Sequence, residues 1–287
     1  MVILFDLLAR LPLPVLHWLG ALLGRLTYRV SGRYASRLRE NLRQAGYAES
    51  ESDWRRILHA NIREAGKGVL ELPWVWRRPY PESLTAIRRC EGWQHLQAAT
   101  DQGKGVIVLT PHMGCFDIIA AYIAAHLPIT VLYRPPRQAA LDGLMQQART
   151  RGQMKLAATD LGGVRQLLKA LKRRELVGIL PDQVPGNGEG EWAPFFGRPA
   201  YTMTLIGRLM QSSGAPVVMA WSQRLPRGEG YAIHFAPLTL DPALSIPAQL
   251  NAALEAVIRK HPEQYLWSYN RYKVPRGANP PPAGGTQ

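Results

Sequence analysis

Two patterns of apolar residues follow one another along the chain. Residues 51–78 carry apolar side chains at three- and four-residue spacing, which predicts one long amphipathic helix capped by Ser52. Beyond Pro79, short β-rich runs alternate with helical segments. Predicted strands cover residues 85–89, 105–110, 129–133, 154–158, 176–181, 216–221 and 231–235. Predicted helices cover residues 93–100, 116–126, 139–149, 163–173, 202–213 and 248–260.

This alternation predicts the α/β class, with a central, mostly parallel sheet flanked by helices. Strands of such a sheet are buried on both faces, which explains their nearly continuous apolar composition. Functional side chains then gather at the carboxyl ends of the strands.

The N-terminal segment has a different pattern. Residues 11–24 form an apolar run that is short for a membrane-spanning helix, which needs about 20 apolar residues. Extending it backward would place Asp6 and Arg10 in hydrocarbon, and the features of a cleaved signal peptide are missing before Arg25. We therefore predict membrane-associated N-terminal helices lying in the interface or entering one leaflet, with a buried core helix as the alternative.

These patterns predict three parts: an apolar anchor over residues 1–30, one domain over residues 31–276, and a disordered tail rich in proline and glycine over residues 277–287. Arginines follow the anchor closely, which is typical of docking to an anionic cytoplasmic leaflet. They are Arg25, Arg29, Arg33, Arg37, Arg39 and Arg43.

Composition adds a constraint on partners. The chain has 287 residues, 46% of them hydrophobic, and a formal net charge of +14, so it can bury a core and attracts anionic groups. The known nucleic-acid-binding modules are missing from the sequence, so we expect no nucleic acid partner. A basic membrane-bound or nucleic-acid-binding protein is the non-enzyme alternative. Cys90 and Cys115 cannot form a disulfide framework, which favours a reducing compartment.

The strongest local signal for chemistry follows the apolar strand over residues 105–110. His112 is placed at its carboxyl end, where an imidazole could take a proton from a hydroxyl. Asp117 is the candidate carboxylate to fix the other ring nitrogen. Residues five apart lie about 140° apart on a helix, so the two meet only if His112 lies in the turn. A packed histidine with an unrelated aspartate is the alternative.

Other interpretations of the same segment stay open. Cys115 could act as a nucleophile in a covalent route, or His112, Cys115 and Asp117 could bind a metal. We expect neither, and no metal or cofactor. A catalytically inactive membrane scaffold on the same fold is a further possibility.

His112 and Asp117 match the His-x4-Asp motif of the lysophospholipid acyltransferase superfamily, and further blocks follow in order. These blocks are residues 133–135 (YRP), 181–183 (PDQ), 194–197 (PFFG), 261–267 (HPEQYLW) and 271–273 (RYK). Over nearly the whole chain they resemble the bacterial lipid A lauroyl/myristoyl, or late, acyltransferases. The PDQ block stands where the glycerol-phosphate branch carries Glu-Gly-Thr-Arg-Ser.

The resemblance implies an activity and a set of site residues. It implies transfer of an acyl chain from acyl-acyl carrier protein to a hydroxyl of a lipid A precursor, at the cytoplasmic face of the bacterial inner membrane, with His112 as base. Arg134 and Arg149, the latter preferred over Arg151, and Asp182 with Gln183 are the expected substrate-binding or oxyanion residues. Another glycolipid or a lysophospholipid is the alternative acceptor.

Overall fold

The computed structural model describes residues 2–46, 48–135, 139–186 and 188–281. Its helices are α1 (Val2–Arg10), α2 (Leu13–Val30), α3 (Gly32–Gln44), α4 (Glu51–Arg77), α5 (Tyr80–Leu84), α6 (Trp93–Asp101), α7 (Phe116–His126), α8 (Ala139–Arg149), α9 (Leu161–Lys172), α10 (Leu205–Ser213) and α11 (Ile246–Ile258). Its strands are β1 (Ile87–Glu91), β2 (Val106–Leu109), β3 (Ile129–Tyr133), β4 (Met154–Ala158), β5 (Leu176–Ile179), β6 (Gly190–Phe195), β7 (Arg198–Met203), β8 (Val217–Arg224) and β9 (Tyr231–Leu238).

The main sheet has the strand order β1-β9-β8-β2-β5-β3-β4. Its pairs are parallel except for β8 with β9, which run antiparallel. Helices α6 and α7 share one apolar cluster with the sheet, and α9, α10 and α11 share the other. The predicted α/β class with a mostly parallel sheet flanked by helices is therefore confirmed.

Several predicted elements agree with the structure to the residue, namely β3, β4, α7 and α8. The hairpin of β6 and β7 was not predicted, because Gly190, Pro194 and Pro199 interrupt the apolar alternation by which strands are recognised. The predicted cap of α4 is wrong: Ser50, not Ser52, precedes the helix and accepts a hydrogen bond from the Asp53 backbone N–H at 3.1 Å.

Helix α2 has one buried face and one exposed apolar face. The buried face lies on α4 with the backbones in close approach, because a Cβ on Gly66 would come within 2.0 Å of the Gly20 carbonyl oxygen. The exposed face carries a stripe of large apolar side chains at three- and four-residue spacing, Val15, Trp18, Leu22, Leu26 and Val30. Exposed apolar side chains of α1 are Ile3, Leu4 and Leu7.

Among the described residues, the helices are all too short or too polar to cross a membrane. Trp74 and Trp76 at the end of α4 are buried and pack in the protein interior. Of the predicted tail, residues 282–287 lie outside the described residues, and Asn279 accepts a hydrogen bond on its carbonyl from Trp192 Nε1. The division at residue 30 and the disorder of the tail stay predictions.

Candidate active site

The turn between β2 and α7 is held by backbone contacts to the C-terminal segment. Gly114 has a φ of +57°, and a Cβ there would lie 2.0 Å from the Ser222 carbonyl oxygen, so the turn requires glycine. The Gly114 N–H donates to the Gln264 carbonyl at 3.1 Å, and the Leu266 N–H donates to the His112 carbonyl at 3.1 Å. The HPEQYLW block thus fixes the backbone that presents His112.

The carboxylate that contacts His112 comes from the neighbouring strand. Leu109 and Ile179, the last residues of β2 and β5, are register partners, and His112 and Asp182 each follow three positions later. His112 Nδ1 lies 2.7 Å from Asp182 Oδ1, and the His112 backbone N–H donates to Asp182 Oδ2 at 2.8 Å. Parallel register therefore brings together two residues that are 70 positions apart in sequence.

The expected pairing of His112 with Asp117 is corrected by this geometry. Asp117 lies in the first turn of α7, where Oδ1 accepts from Arg149 Nη2 at 2.6 Å and Oδ2 accepts from Trp76 Nε1 at 3.0 Å. Both carboxylate oxygens of Asp117 are thus engaged, and Asp182 contacts the His112 ring nitrogen in its place. Asp117, five residues after His112, therefore binds the Arg149 guanidinium and not the His112 ring.

The charge state of Asp182 follows from its surroundings. Burial favours the neutral acid, but the neighbouring His112 ring and backbone N–H outweigh it and lower the pKa of Asp182 below its ordinary value. Tyr265 lies beside it, and burial together with the Asp182 charge raises the pKa of this phenol well above its usual range. Asp182 is therefore an ionised acceptor, and Nδ1 of His112 carries the proton of their hydrogen bond.

In the neutral ring, this tautomer leaves Nε2 of His112 with a lone pair that can accept a proton. The Gln183 side-chain amide lies 3.1 Å from Nε2 and can donate to it. The loop carrying Asp182 and Gln183 is tied down by the Val184 N–H, which donates to the Tyr269 hydroxyl at 3.0 Å. The ring of His112 is therefore oriented by a carboxylate on one side, and its Nε2 is covered by the Gln183 amide on the other.

A cavity of about 580 Å³ opens next to His112. Its polar wall contains Asp117 and Arg149 together with Gln183, and Arg134 and Arg208 line it as exposed side chains. The wall is otherwise largely apolar, including Phe116, whose ring centroid lies 4.8 Å from that of His112. The site thus combines a base, cationic side chains and room for an aliphatic group.

Arg151 is placed differently from Arg149. Its guanidinium donates to the backbone carbonyls of Trp76 and Arg78, whereas Arg149 lines the cavity. Cys115 is buried, and burial raises the pKa of its thiol well above its ordinary value. Among the described residues, no group of histidine, cysteine or acidic side chains is arranged to hold a metal ion.

Sequence reasoning missed two parts of this site. Trp76 was not predicted as a site residue, yet it hydrogen-bonds Asp117, and Arg149 lies 5.6 Å above its ring. Arg208 on α10 was not singled out at all. A signal was present for the His112 partner, because two polar residues follow two predicted strands of one parallel sheet.

The chain is similar to known lipid A biosynthesis enzymes. The chain is 29% identical over 273 residues to the lipid A biosynthesis lauroyltransferase of Escherichia coli K12, covering 93% of this chain and 88% of the relative. It is 29% identical over 280 residues to the palmitoleoyltransferase of the same organism, covering 92% and 87%. The myristoyltransferase is 24% identical over 193 residues, covering 65% and 59%.

A family-level comparison covers almost the entire chain. Residues 1–274 match the family described as bacterial lipid A biosynthesis acyltransferase, which spans the turn with His112, the Asp182 loop and the C-terminal block. This chain therefore belongs to the bacterial lipid A biosynthesis acyltransferase family and is an acyltransferase.

Proposed function

We propose that this enzyme transfers a fatty acyl chain from acyl-acyl carrier protein to a hydroxyl of a lipid A precursor, with His112 as general base. The observation that carries the proposal is the 2.7 Å contact between His112 Nδ1 and Asp182 at the wall of a large, mainly apolar cavity. The names of the relatives support the acceptor class, since they act in lipid A biosynthesis.

In the proposed reaction, the lone pair on Nε2 of His112 accepts the proton. A substrate hydroxyl gives its proton to Nε2 while its oxygen attacks the thioester carbonyl, forming a tetrahedral oxyanion. Collapse of that intermediate breaks the carbon–sulfur bond, and the imidazolium returns the proton to the departing thiolate. Asp182 keeps Nδ1 protonated and stabilises the imidazolium between the two steps. The products are an ester and the free thiol of the carrier.

Gln183 must turn away before this step can begin. Its amide occupies hydrogen-bond distance from Nε2, the position that the substrate hydroxyl needs. Once turned, an amide N–H on this wall of the cavity is available to the carbonyl oxygen of the donor. Gln183 therefore covers the base in the free enzyme and becomes an oxyanion donor in the complex.

Asp117 acts through Arg149. Its carboxylate holds one end of the guanidinium, while Arg149 Nε is buried without a hydrogen-bond partner among the described residues. A buried donor left in this state is costly unless a ligand satisfies it. We assign Arg149 to an anionic oxygen, either the developing oxyanion or a phosphate of the acceptor, and Arg134 and Arg208 to phosphate at the mouth of the cavity.

The apolar face of α1 and α2 would hold the enzyme on a membrane. Trp18 and Leu26 are exposed on the apolar stripe of α2. Arg25 and Arg29 of the same helix are exposed as well, and the combination suits anionic lipid. The proposed location is the cytoplasmic face of the bacterial inner membrane.

The double variant Trp18→Ser with Leu26→Ser should weaken sedimentation of the enzyme with phosphatidylglycerol vesicles. The control Leu244→Ser changes an exposed leucine elsewhere and should not weaken it. An equal loss of vesicle binding in the two proteins would contradict this docking face.

The decisive assay follows labelled acyl chain from acyl-acyl carrier protein into a tetra-acylated lipid A precursor. Wild type should transfer the label, His112→Ala should not, and His59→Ala, an exposed histidine on α4, should match the wild type. Transfer only to another glycolipid or to a lysophospholipid would keep the chemistry and discard the acceptor. Undiminished transfer by His112→Ala would discard the base.

A further inference from the structure

The cavity continues inward from His112 along one face of the sheet. The strand positions on this face lie under α7, whose Ile119 and Ile123 form the opposite wall. Successive positions on one face of a strand are about 6.6 Å apart, so each step inward from the turn adds that depth. This part of the cavity, between the sheet and α7, is called here the α7 branch.

A glycine lies in the middle of the α7 branch. Gly178 on β5 is the register partner of Val108 on β2 and of Val131 on β3, so the three residues form one row across adjacent parallel strands. All three line the cavity, and the two outer members carry branched side chains. The missing side chain at the centre leaves a gap in the floor of the branch.

The gap opens toward α7. A Cβ at Gly178 would have Val131 Cγ2 at 3.2 Å, Ile129 Cδ1 at 3.3 Å and Val131 Cβ at 3.8 Å as its nearest neighbours, all on β3. The described atoms of α7 are therefore farther away than these. Since the close neighbours are methyl groups at the ends of side chains, a small side chain at this position could be accommodated by a shift of a few tenths of an ångström.

The other part of the cavity has a different chemistry. Between α9 and α10 it has apolar side chains such as Val164, Leu168 and Leu209. It is also lined by Asp160, Arg208 and Ser212, polar groups that an aliphatic chain would leave unsatisfied. The α7 branch begins at the ring of His112, where the thioester carbonyl must lie. Inward from Phe116 and Asp117, its lining residues on α7 are aliphatic. The donor acyl chain is therefore assigned to the α7 branch.

Resting on the function proposed above, we propose that Gly178 determines acyl-chain selectivity: its missing side chain lets a long unbranched acyl chain pass the row of Val108 and Val131. A side chain at this position would block the deeper part of the branch. Chains that end before the row would still fit, and chains that extend beyond it would not.

The test compares Gly178→Ala and Gly178→Val with Val177→Ile across acyl-acyl carrier proteins from decanoyl to palmitoyl. Val177 precedes Gly178 but belongs to the cluster on the opposite face of the sheet, so its variant adds bulk to the same strand without touching the cavity. Gly178→Val should shift the ratio of short-chain to long-chain kcat/KM by about tenfold or more, as expected for methylene-sized changes in an apolar pocket. Gly178→Ala should shift it less, and Val177→Ile should leave it unchanged.

A second measurement separates this assignment from the proposed function. Saturated free fatty acids of the same lengths would displace a fluorescent fatty acid from wild type and from Gly178→Val, with melting temperatures recorded to confirm folding. If no variant transfers acyl chains but Gly178→Val still loses affinity for the longest fatty acids alone, the reaction is wrong and the assignment holds. Equal loss for all chain lengths, or an equal shift in Val177→Ile, would overturn the assignment.

Discussion

Two clusters of charged residues contact the same turn from opposite sides, and they differ in whether their side chains line the cavity. On the cavity side, the His112 side chain is 15% exposed and pairs with Asp182. On the far side, Arg224 at the end of β8 is 3% exposed and Glu71 on α4 is 1% exposed. Arg224 Nη2 also donates to the Gly114 carbonyl at 2.9 Å, which joins this second cluster to the turn.

Each side-chain nitrogen of Arg224 has a hydrogen-bond partner. Nε and Nη2 of Arg224 donate to Glu71 at 2.9 and 2.5 Å, and Nη1 donates to Glu64 at 2.8 Å. The Tyr231 hydroxyl also donates to Glu71 Oε2 at 3.0 Å, and His17 Nε2 lies 3.3 Å from the same oxygen. On the cavity side, His112 Nε2 contacts the Gln183 amide, and Arg149 Nε is buried without a partner among the described residues. The two clusters therefore differ in access: His112 and Arg149 line the cavity, where a ligand can reach them, whereas Arg224 is enclosed and fixes the backbone of the turn.

The largest expected effect is on the cavity side. Asp182→Asn keeps the shape of the side chain but removes the charge that fixes the His112 tautomer and stabilises its imidazolium. We expect kcat to fall about 10³- to 10⁴-fold, with a melting temperature close to that of wild type. Steady-state acyl transfer together with thermal unfolding measures both quantities.

Asp117→Asn is the matched comparison for this prediction. It loosens Arg149 without touching the His112 ring, so a smaller fall of about 10²-fold is expected from misplacement of a charge-stabilising group. If Asp117→Asn were the more damaging variant and Asp182→Asn nearly normal, the pairing of His112 with Asp182 would be the wrong one for catalysis.

The next largest effect is on stability and belongs to the Arg224 cluster. Arg224→Met leaves the Glu71 carboxylate buried without its main partner, which should lower the free energy of unfolding by about 3–5 kcal/mol. Arg173→Met, which breaks an exposed pair with Glu175, should cost less than about 1 kcal/mol. Urea denaturation of both variants measures these losses in the free energy of unfolding. Similar losses for the two variants would show that the buried Arg224 cluster does not stabilise the fold more than an exposed ion pair does.

The same cluster predicts how stability depends on pH. Burial alone would raise the pKa of Glu71, but Arg224 and His17 hold it at about 2, below the ordinary value of 4.5. The ionised carboxylate therefore stabilises the fold above about pH 5, and this contribution is lost as the pH falls from there toward 2. At about 1.4 kcal/mol per pKa unit, the loss is about 3 kcal/mol.

Urea denaturation between pH 6 and pH 3 tests this point with Glu71→Gln as the comparison. The variant should be less stable at pH 6 and should show a shallower decline on acidification than the wild type. Parallel curves for the two proteins would mean that Glu71 does not carry this pH dependence. Asp182 has a lowered pKa too, so some decline should remain in the variant.

The sequence predicted local features better than contacts between distant segments. Strands β3 and β4 and helices α7 and α8 were placed to the residue because continuous apolar runs end at polar or glycine-containing turns. The partner of His112 was assigned to Asp117 because spacing along the chain was the only available distance. Asp182 reaches His112 through the pairing of β2 with β5, and strand order cannot be read from apolar patterns alone.

The Arg224 cluster, which stabilises the fold, could not be predicted from the sequence either. Glu71 lies within the predicted amphipathic helix α4, where its position alone gives no sign of a buried acid. Its partners come from α2, β8 and β9, three elements that are separated widely along the chain. Buried ion pairs of this kind become visible only after the elements have been assembled.

The smallest expected effect concerns Cys115, which lies between the two sides of the turn. Burial raises the pKa of its thiol well above its ordinary value, and the nearby Glu71 carboxylate raises it further, so the nucleophilic thiolate is suppressed. Cys115 contributes to the apolar cluster under α7 and is absent from the described cavity wall. We therefore expect Cys115→Ala to retain kcat within about twofold while losing about 1 kcal/mol of stability from the vacated volume. Turnover that disappears while the melting temperature is kept would instead require a covalent acyl-cysteine step, which electrospray mass spectrometry of the enzyme after mixing with acyl donor would detect.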